Sequence, residues 1–161
     1  MRPGSRAKRI AAASPAGEPR ERVVVEDAEN LHVLGRFFEA MTLNQLKDPD
    51  KVRILDKLEL AVAIDPPAHP DSALTVSFSN GRVMLHSGVA PDPDIRLICE
   101  AAVLMKLARV PAGPAAVGFL RTHEGRTLIA MMRSGELKIE GVFRHPLGMM
   151  GFAKFLAPSA G

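Results

Sequence analysis

The 161-residue chain has no tryptophan, no tyrosine and a single cysteine, Cys99. One cysteine cannot form an internal disulfide and gives no pair of metal ligands, so we expect a reducing, cytoplasmic setting with Cys99 as a small buried apolar residue. Seven phenylalanines supply all the aromatic area, although hydrophobic residues make up 47% of the chain. Aliphatic and methionine side chains must therefore form most of the interior, which gives it adaptable apolar walls.

Motifs for catalysis and cofactor binding are missing as well. The chain contains no phosphate-binding loop, dinucleotide glycine pattern or nucleophile elbow. Its five histidines never pair with one another or with Cys99 at metal-ligand spacing. We therefore expect no enzyme activity, no cofactor and no metal site. The apolar runs are shorter than the ~20 residues of a membrane span, so at most transient membrane contact is expected.

One local group of polar residues, Arg121-Thr122-His123-Glu124-Gly125-Arg126, stands beside a predicted helix break. Such a group can line the mouth of a cavity, and it can equally be a solvated loop of salt-bridging charges. No nucleophile or oxyanion donor can be named beside it, so it gives no basis for catalysis. His145, which precedes Pro146, is typical of a helix start rather than of a catalytic residue.

The positive charge is concentrated at the start of the chain. Residues 1–22 hold six arginines or lysines and two glutamates, a charge of +4. The net charge of the whole chain is +3, so the remainder carries −1. This segment is rich in Ala, Pro, Gly and Ser and is predicted to be a disordered basic tail before a domain at 23–161. A solvated extension explains its charge, with weak attraction to phosphates or anionic lipid as the alternative. Basic clusters and stacking aromatics are absent from the body, so nucleic-acid binding is not expected.

The first part of the domain is predicted to form two helices and a strand. Asp27 is a suitable N-cap for an amphipathic helix through Leu31, Leu34, Phe38 and Met41. Asp48-Pro49 starts a second helix, with proline at the first helical position. From Leu58 to Ile64 every second residue is larger and apolar, which predicts a strand with one buried face.

The clearest local signal is a hairpin around Asn80-Gly81, the pair preferred in a type I′ turn. Apolar residues alternate on both sides of it, in 74–79 and in 82–86. The turn and the alternation require the same register, which predicts three facing pairs: Ser79 with Arg82, Phe78 with Val83, and Val76 with Leu85.

The second half of the domain alternates between strands and helices. The pattern predicts a strand at 95–99, a helix at 101–109, helical segments at 115–134 broken near 122–125, a strand at 136–140 and a final helix at 147–156. Gly135 suits the left-handed position that ends a helix. A hairpin-linked block of strands followed by helices predicts an α+β fold, a largely antiparallel sheet covered by helices on one face.

The final helix is apolar almost all the way round, because Lys154 is its only charge. It therefore needs protein or ligand on both sides. Two adjacent methionine pairs, Met131-Met132 and Met149-Met150, flank the strand at 136–140. Methionines at such positions usually belong to a core, and the alternative is a deformable apolar pocket.

Three features together resemble the sterol carrier protein 2 family over about residues 27–157. These are the Asn80-Gly81 hairpin, the Pro93-Asp94-Ile95 strand leading into the helix at 101–109, and Ser134-Gly135-Glu136-Leu137-Lys138-Ile139-Glu140-Gly141 ahead of an apolar helix. The resemblance implies a five-stranded, mostly antiparallel sheet covered by helices and an apolar tunnel for sterols, fatty acids or acyl-coenzyme A. Members of that family transfer or present lipids without chemistry on them. Here, residues 110–130 look like an insertion.

The predicted function is accordingly a non-catalytic intracellular protein that binds and transfers a lipid or other apolar small molecule. The alternative is an interaction module, acting with its own copy or with a separate lipid-metabolising enzyme. We predict that thirteen apolar residues line the lipid site: Val76, Phe78, Val83, Leu85, Leu104, Met131, Met132, Leu137, Ile139, Met149, Met150, Phe152 and Phe155.

Overall fold

The computed structural model describes residues 18–111 and 114–157. Within them the helices are α1 (Pro19–Arg22), α2 (Val33–Gln45), α3 (Pro49–Lys57), α4 (Ala101–Leu107), α5 (Ala115–Leu120), α6 (His123–Ser134) and α7 (Pro146–Leu156). The strands are β1 (Val23–Val25), β2 (Leu60–Ile64), β3 (Leu74–Ser79), β4 (Arg82–Ser87), β5 (Ile95–Ile98) and β6 (Lys138–Glu140). Short 3₁₀ turns occupy Ala28–Asn30 and Pro70–Ser72.

The strands form one mixed sheet in the order β1-β4-β3-β2-β5-β6. The neighbours β3–β4, β2–β3 and β5–β6 are antiparallel, whereas β1–β4 and β2–β5 are parallel. The predicted α+β class and the mostly antiparallel sheet are confirmed. The predicted strand count of five is wrong by one.

The extra strand is β1, which precedes every strand predicted from the sequence. Val23 and Val25 pair with Val83 and Leu85 of β4, placing β1 at the sheet edge. Regular structure also starts before residue 23: α1 forms a helical turn, and the Arg22 guanidinium binds Asp56 at 2.7 Å and the Gly81 carbonyl at 3.0 Å. The predicted tail is therefore wrong for 19–22, while residues 1–17 of that prediction lie outside the described residues.

The hairpin has the predicted register. Ser79 faces Arg82, Phe78 faces Val83, and Val76 faces Leu85. Asn80 and Gly81 have φ values of 53° and 72°, as both central residues of a type I′ turn require.

Of two helix starts predicted from the sequence, one is confirmed and one is wrong. Asp48 caps α3, since its carboxylate accepts from the Asp50 amide at 2.9 Å. Asp27 does not start the long helix: it has a left-handed φ of 53° ahead of a 3₁₀ turn, and α2 begins only at Val33. The apolar spacing therefore predicted the body of α2 but not its first turn.

A single face of the sheet carries the core. The register places most of the large apolar side chains of the six strands on that face: Val23, Val25, Leu60, Val62, Ile64, Leu74, Val76, Phe78, Val83, Leu85, Ile95, Leu97 and Ile139. Helices α2, α3, α4 and α7 contribute further core residues, including Phe38, Leu55, Leu104 and Phe155.

The opposite face of the sheet is more polar, and the 88–94 loop crosses it. Thr75 points to that face and is buried, donating to the Gly88 carbonyl at 2.8 Å and accepting from the Ala90 amide at 2.9 Å. Asp94 accepts from the Ala61 amide at 2.8 Å. Because this loop is fixed to the polar face, the apolar face beneath α7 is the better candidate for an apolar ligand.

Candidate functional site

Helix α7 lies against the apolar face of the sheet through aromatic side chains. The Phe78 ring of β3 meets Phe152 at a centroid distance of 5.7 Å and Phe155 at 5.6 Å, with interplanar angles of 65° and 71°. These are edge-to-face contacts, the geometry that aromatic quadrupoles favour. Phe78, Phe152 and Phe155 are all buried, so these rings join α7 to the centre of the sheet.

The first half of α7 approaches the chain through glycine rather than through large side chains. A Cβ on Gly148 would lie 2.7 Å from Leu60 Cδ1, and a Cβ on Gly151 would lie 3.0 Å from Leu58 Cδ1. Neither glycine carries a side chain, so both let α7 come close to its neighbours. In the structure they allow close approach within the chain itself.

The C-terminal end of α7 is fixed by polar side chains from α2 and α3. The buried Lys51 ammonium donates to the carbonyls of Lys154 and Ala157, and the Gln45 amide donates to Leu156 at 3.1 Å and Ala157 at 3.3 Å. The last carbonyls of a helix lack partners within it, and its C-terminus favours positive charge. Burial lowers the pKa of Lys51, an effect that nearby Asp48 opposes.

The thirteen predicted lining residues fall into three groups. Eight are fully buried and belong to one continuous core: Val76, Phe78, Val83, Leu85, Leu104, Leu137, Phe152 and Phe155. Met131, Ile139 and Met149 are partly buried and pack against that core. The structure therefore brings eleven of the thirteen together in or against one apolar core, to which α7 contributes Phe152 and Phe155.

Met132 and Met150 do not belong to this group. They are 52% and 54% exposed, whereas their neighbours Met131 and Met149 face the core. Successive residues of an α-helix are about 100° apart, so two adjacent methionines cannot both point to the same side. The sequence showed the pairs but not which member is buried.

Four surface pockets are described, and none of the thirteen residues lines any of them. The pocket of about 440 Å³ between α4, α5 and α6 combines an apolar floor with a charged rim. We call it the three-helix pocket; it is lined by Lys106, Arg109, Phe119, His123, Glu124, Thr127 and Leu128.

The three-helix pocket contains part of the polar cluster noted in the sequence. Thr122 caps α6 by accepting from the Gly125 amide at 3.2 Å, which places the predicted helix break correctly. His123 and Glu124 then line the pocket, as the cavity-mouth interpretation expected, whereas Arg121 and Arg126 do not. Sequence reasoning missed Lys106 and Arg109, since only packing of α4 near α6 brings them to it.

A second pocket, of about 580 Å³, lies on the polar side of β5 and β6. Its walls include Asp94, Arg96, Glu140, Arg144 and His145. Several of these charges already pair: Arg96 with Asp65, which raises the pKa of Arg96, and the His145 Nε2 with Asp94 at 3.5 Å. His145 begins α7 as predicted, but its side chain makes no capping hydrogen bond. In this pocket, Asp94, Arg96 and His145 therefore already have partners.

The start of α7 exposes apolar side chains to solvent. Phe143 is 100% exposed, Leu147 79% and Met150 54%. Leu147 and Met150, three residues apart in α7, share a side of the helix, and Phe143 lies in the turn just before it. We call this set the α7 ridge.

Cys99 has the predicted character of a buried apolar residue. Its side chain is fully buried, and this burial raises the pKa of the thiol to about 11, with a smaller contribution from Glu100. A thiol in such surroundings is a poor nucleophile. Across 18–111 and 114–157, no cluster of three His, Cys, Asp or Glu is arranged to hold a metal, and none of the helices is long and apolar enough to cross a membrane.

Comparison with solved structures identifies the fold as like that of sterol carrier protein 2. One match is a ubiquinone synthesis protein, UbiJ-SCP2, with a TM-score of 0.51 and 21% identity over 77% of this chain and 88% of that one. Another is a conserved hypothetical protein of Thermus thermophilus, TT1886, described as a candidate sterol carrier protein, with a TM-score of 0.31 and 12% identity over 70% of this chain and 80% of that one. No protein-family model matches the chain, and no curated protein matches it in sequence. The predicted fold is confirmed by the first likeness; the second is too distant to add to it.

Proposed function

We propose that this protein binds a lipid or other apolar small molecule between the sheet and α7, and carries or presents it in the cytoplasm without converting it. The observation that supports this most is the apolar layer between the sheet and its helices, α7 among them, where eleven of the thirteen predicted residues meet. Its methionine and phenylalanine walls can adjust to a ligand because methionine is flexible and unbranched.

The two ends of α7 suggest how a ligand enters. Lys51 and Gln45 hold its C-terminal end, while Gly148 and Gly151 face Leu60 and Leu58 at its beginning. Interlocked side chains hold a helix against the element it packs on, and glycine has no side chain to interlock. In this proposal the first half of α7 moves outward, and the ligand replaces contacts with the sheet.

Affinity for an apolar chain needs no dedicated motif. Burial contributes ~0.8 kcal/mol per methylene, so ten methylenes leave several kcal/mol after the costs of association, enough for ~micromolar binding. Likeness in fold to a ubiquinone synthesis protein supports including long-chain and prenylated molecules among the candidates.

The decisive test is organic extraction and mass spectrometry of freshly purified protein, followed by displacement of a fluorescent fatty acid. We expect recovery of a lipid and displacement by its pure form. Recovery of none, with no displacement by any sterol, acyl chain or thioester tried, would remove the proposal. Turnover of a bound lipid that disappears in His123→Ala or Glu124→Ala would show an enzyme instead.

A matched pair of variants locates the site. Phe152→Asp puts a carboxylate into the apolar layer, where desolvation is costly, and should abolish uptake. Met150→Glu places the same charge on the exposed α7 ridge and should leave uptake unchanged. Circular dichroism on both variants checks that the sheet is retained.

The second candidate function is an interaction module, favoured by the α7 ridge. Three exposed large apolar side chains at the start of one helix are typical of a surface that a partner covers. Light scattering separates the two: a lipid-binding monomer supports the carrier, and a dimer that Leu147→Glu dissociates supports the module.

A further inference from the structure

We propose that the three-helix pocket binds the acidic end of an amphiphile, a carboxylate or a phosphate, with the first part of the apolar chain on its floor. This inference rests on the proposed function, which it deepens by naming the class of ligand. It concerns residues of α4, α5 and α6 that the apolar layer does not use.

The shape of the pocket fits such a ligand. Its volume of about 440 Å³ lies within the range of small-molecule sites. Leu128 on its floor is buried, and Phe119 adds an aromatic ring, so the floor is apolar. Leu128 is outside the continuous core, whereas Met131, one turn further along α6, packs against that core. The same helix therefore borders both the pocket and the core.

The rim of the pocket carries excess positive charge. Lys106 lies in the last turn of α4 and Arg109 in the turn directly after it, and both line the pocket. Glu124 is the one acidic side chain in the lining, and His123 adds a polar ring. None of these four forms a salt bridge with another described residue. By contrast, the cations of the β5–β6 pocket include Arg96, which is already paired with Asp65.

An apolar floor below two unpaired cations is complementary to an amphiphilic anion. A neutral lipid would use only the floor, and a small inorganic anion would use only the rim. Charge-assisted hydrogen bonds from a guanidinium or an ammonium to a carboxylate or phosphate are the strong class of hydrogen bond. The acidic end group therefore distinguishes this pocket from the layer under α7, which requires only apolar character.

The test measures binding to the full chain by calorimetry with four probes: dodecanoate, dodecyl phosphate, dodecanol and inorganic phosphate. We expect dodecanoate or dodecyl phosphate to bind about tenfold more tightly than dodecanol, and inorganic phosphate not to bind measurably. The better of the two acids identifies the end group. Equal binding of dodecanol and both acids would overturn this inference and leave the carrier function standing, whereas binding of no amphiphile would remove the carrier function itself.

Variants of opposite sign assign the effect to the pocket. Lys106→Gln with Arg109→Gln should weaken binding of the acid about tenfold and leave dodecanol unchanged. Glu124→Gln removes the only carboxylate of the lining and should tighten binding of the acid several-fold, a result that partial unfolding cannot produce. The control, Arg53→Gln with Lys57→Gln on α3, removes the same net charge elsewhere and should change nothing. An equal loss in that control, or no change in the pocket variants, would show that the site is not here.

Discussion

At its C-terminal end helix α7 is buried and hydrogen-bonded, whereas at its beginning it exposes apolar side chains to solvent. Phe155 is fully buried against Phe78, and the Lys51 ammonium donates to the Ala157 carbonyl after the last turn. Near the other end, Phe143 and Leu147 contribute apolar surface that nothing described in the chain covers. The same helix is thus anchored in the fold at one end and leaves apolar surface uncovered at the other.

The largest expected effect contrasts those ends directly. Phe155→Ala removes a buried ring from the core and should lower the free energy of unfolding by about 3–5 kcal/mol. Leu147→Ala removes a side chain that is 79% exposed and should change it by less than ~0.5 kcal/mol. Urea denaturation of both variants measures the difference, and similar losses would show that the start of α7 is also buried.

The next effect concerns the polar anchor. Lys51→Met keeps a side chain of similar length but removes the ammonium that donates to the carbonyls of Lys154 and Ala157. This should lower the free energy of unfolding by about 1–3 kcal/mol. Lys57→Met, at the exposed end of the same helix, is the control and should be near neutral. Hydrogen exchange should rise in the last turn of α7 for Lys51→Met alone; unchanged protection there would contradict the anchoring role.

The glycine contact predicts effects of opposite sign at two helix positions. Gly148→Ala forces a Cβ to within 2.7 Å of Leu60 and should destabilise the fold by about 1 kcal/mol. Gly118→Ala in α5 meets open space and should stabilise it by up to ~1 kcal/mol through helix propensity alone. Thermal unfolding resolves the signs, and stabilisation by both would mean that α7 does not lie close to β2.

The smallest expected effect is a pH dependence. Burial lowers the pKa of Lys51 in the folded chain below 10.5, the value of an exposed lysine. At a pH between the folded and the unfolded pKa, the unfolded chain therefore holds the proton and the folded chain does not. Stability from this group is then present above the unfolded pKa and is lost as pH falls through the folded pKa. Relative to the Lys57→Met control, Lys51→Met should lack this rise in stability towards pH 10.5, and an identical slope would refute it.

Local signals in the sequence predicted the elements whose contacts are close along the chain. Asn80-Gly81 determined the hairpin register, because a two-residue turn and the alternating side chains depend on neighbours alone. Strand β1 escaped prediction since its three valines pair with β4, which comes much later in the chain. The start of α2 was misplaced at Asp27 for a similar reason: a good capping residue does not determine where tertiary packing lets a helix begin.

The candidate sites divide in the same way. The sequence showed a final helix that is apolar almost all the way round, so it could not show that Phe152 and Phe155 are the buried ones. The side of α7 that meets the sheet depends on Leu58 and Leu60. His123 and Glu124 were recognised as part of a polar group, whereas Lys106 and Arg109, which line the same pocket, come from the end of α4 and the turn after it. A pattern along one helix shows which residues share a side, and only the fold shows what that side faces.

Both edges of the sheet consist of three-residue strands, β1 and β6. Short edge strands offer few free backbone groups to another molecule. Proteolytic trimming up to residue 25 would remove β1 and uncover β4, whose six residues then form an open edge next to the hairpin. Such a truncated chain should self-associate through strand pairing and precipitate, so a shortened form of this protein made for expression should begin no later than Glu18.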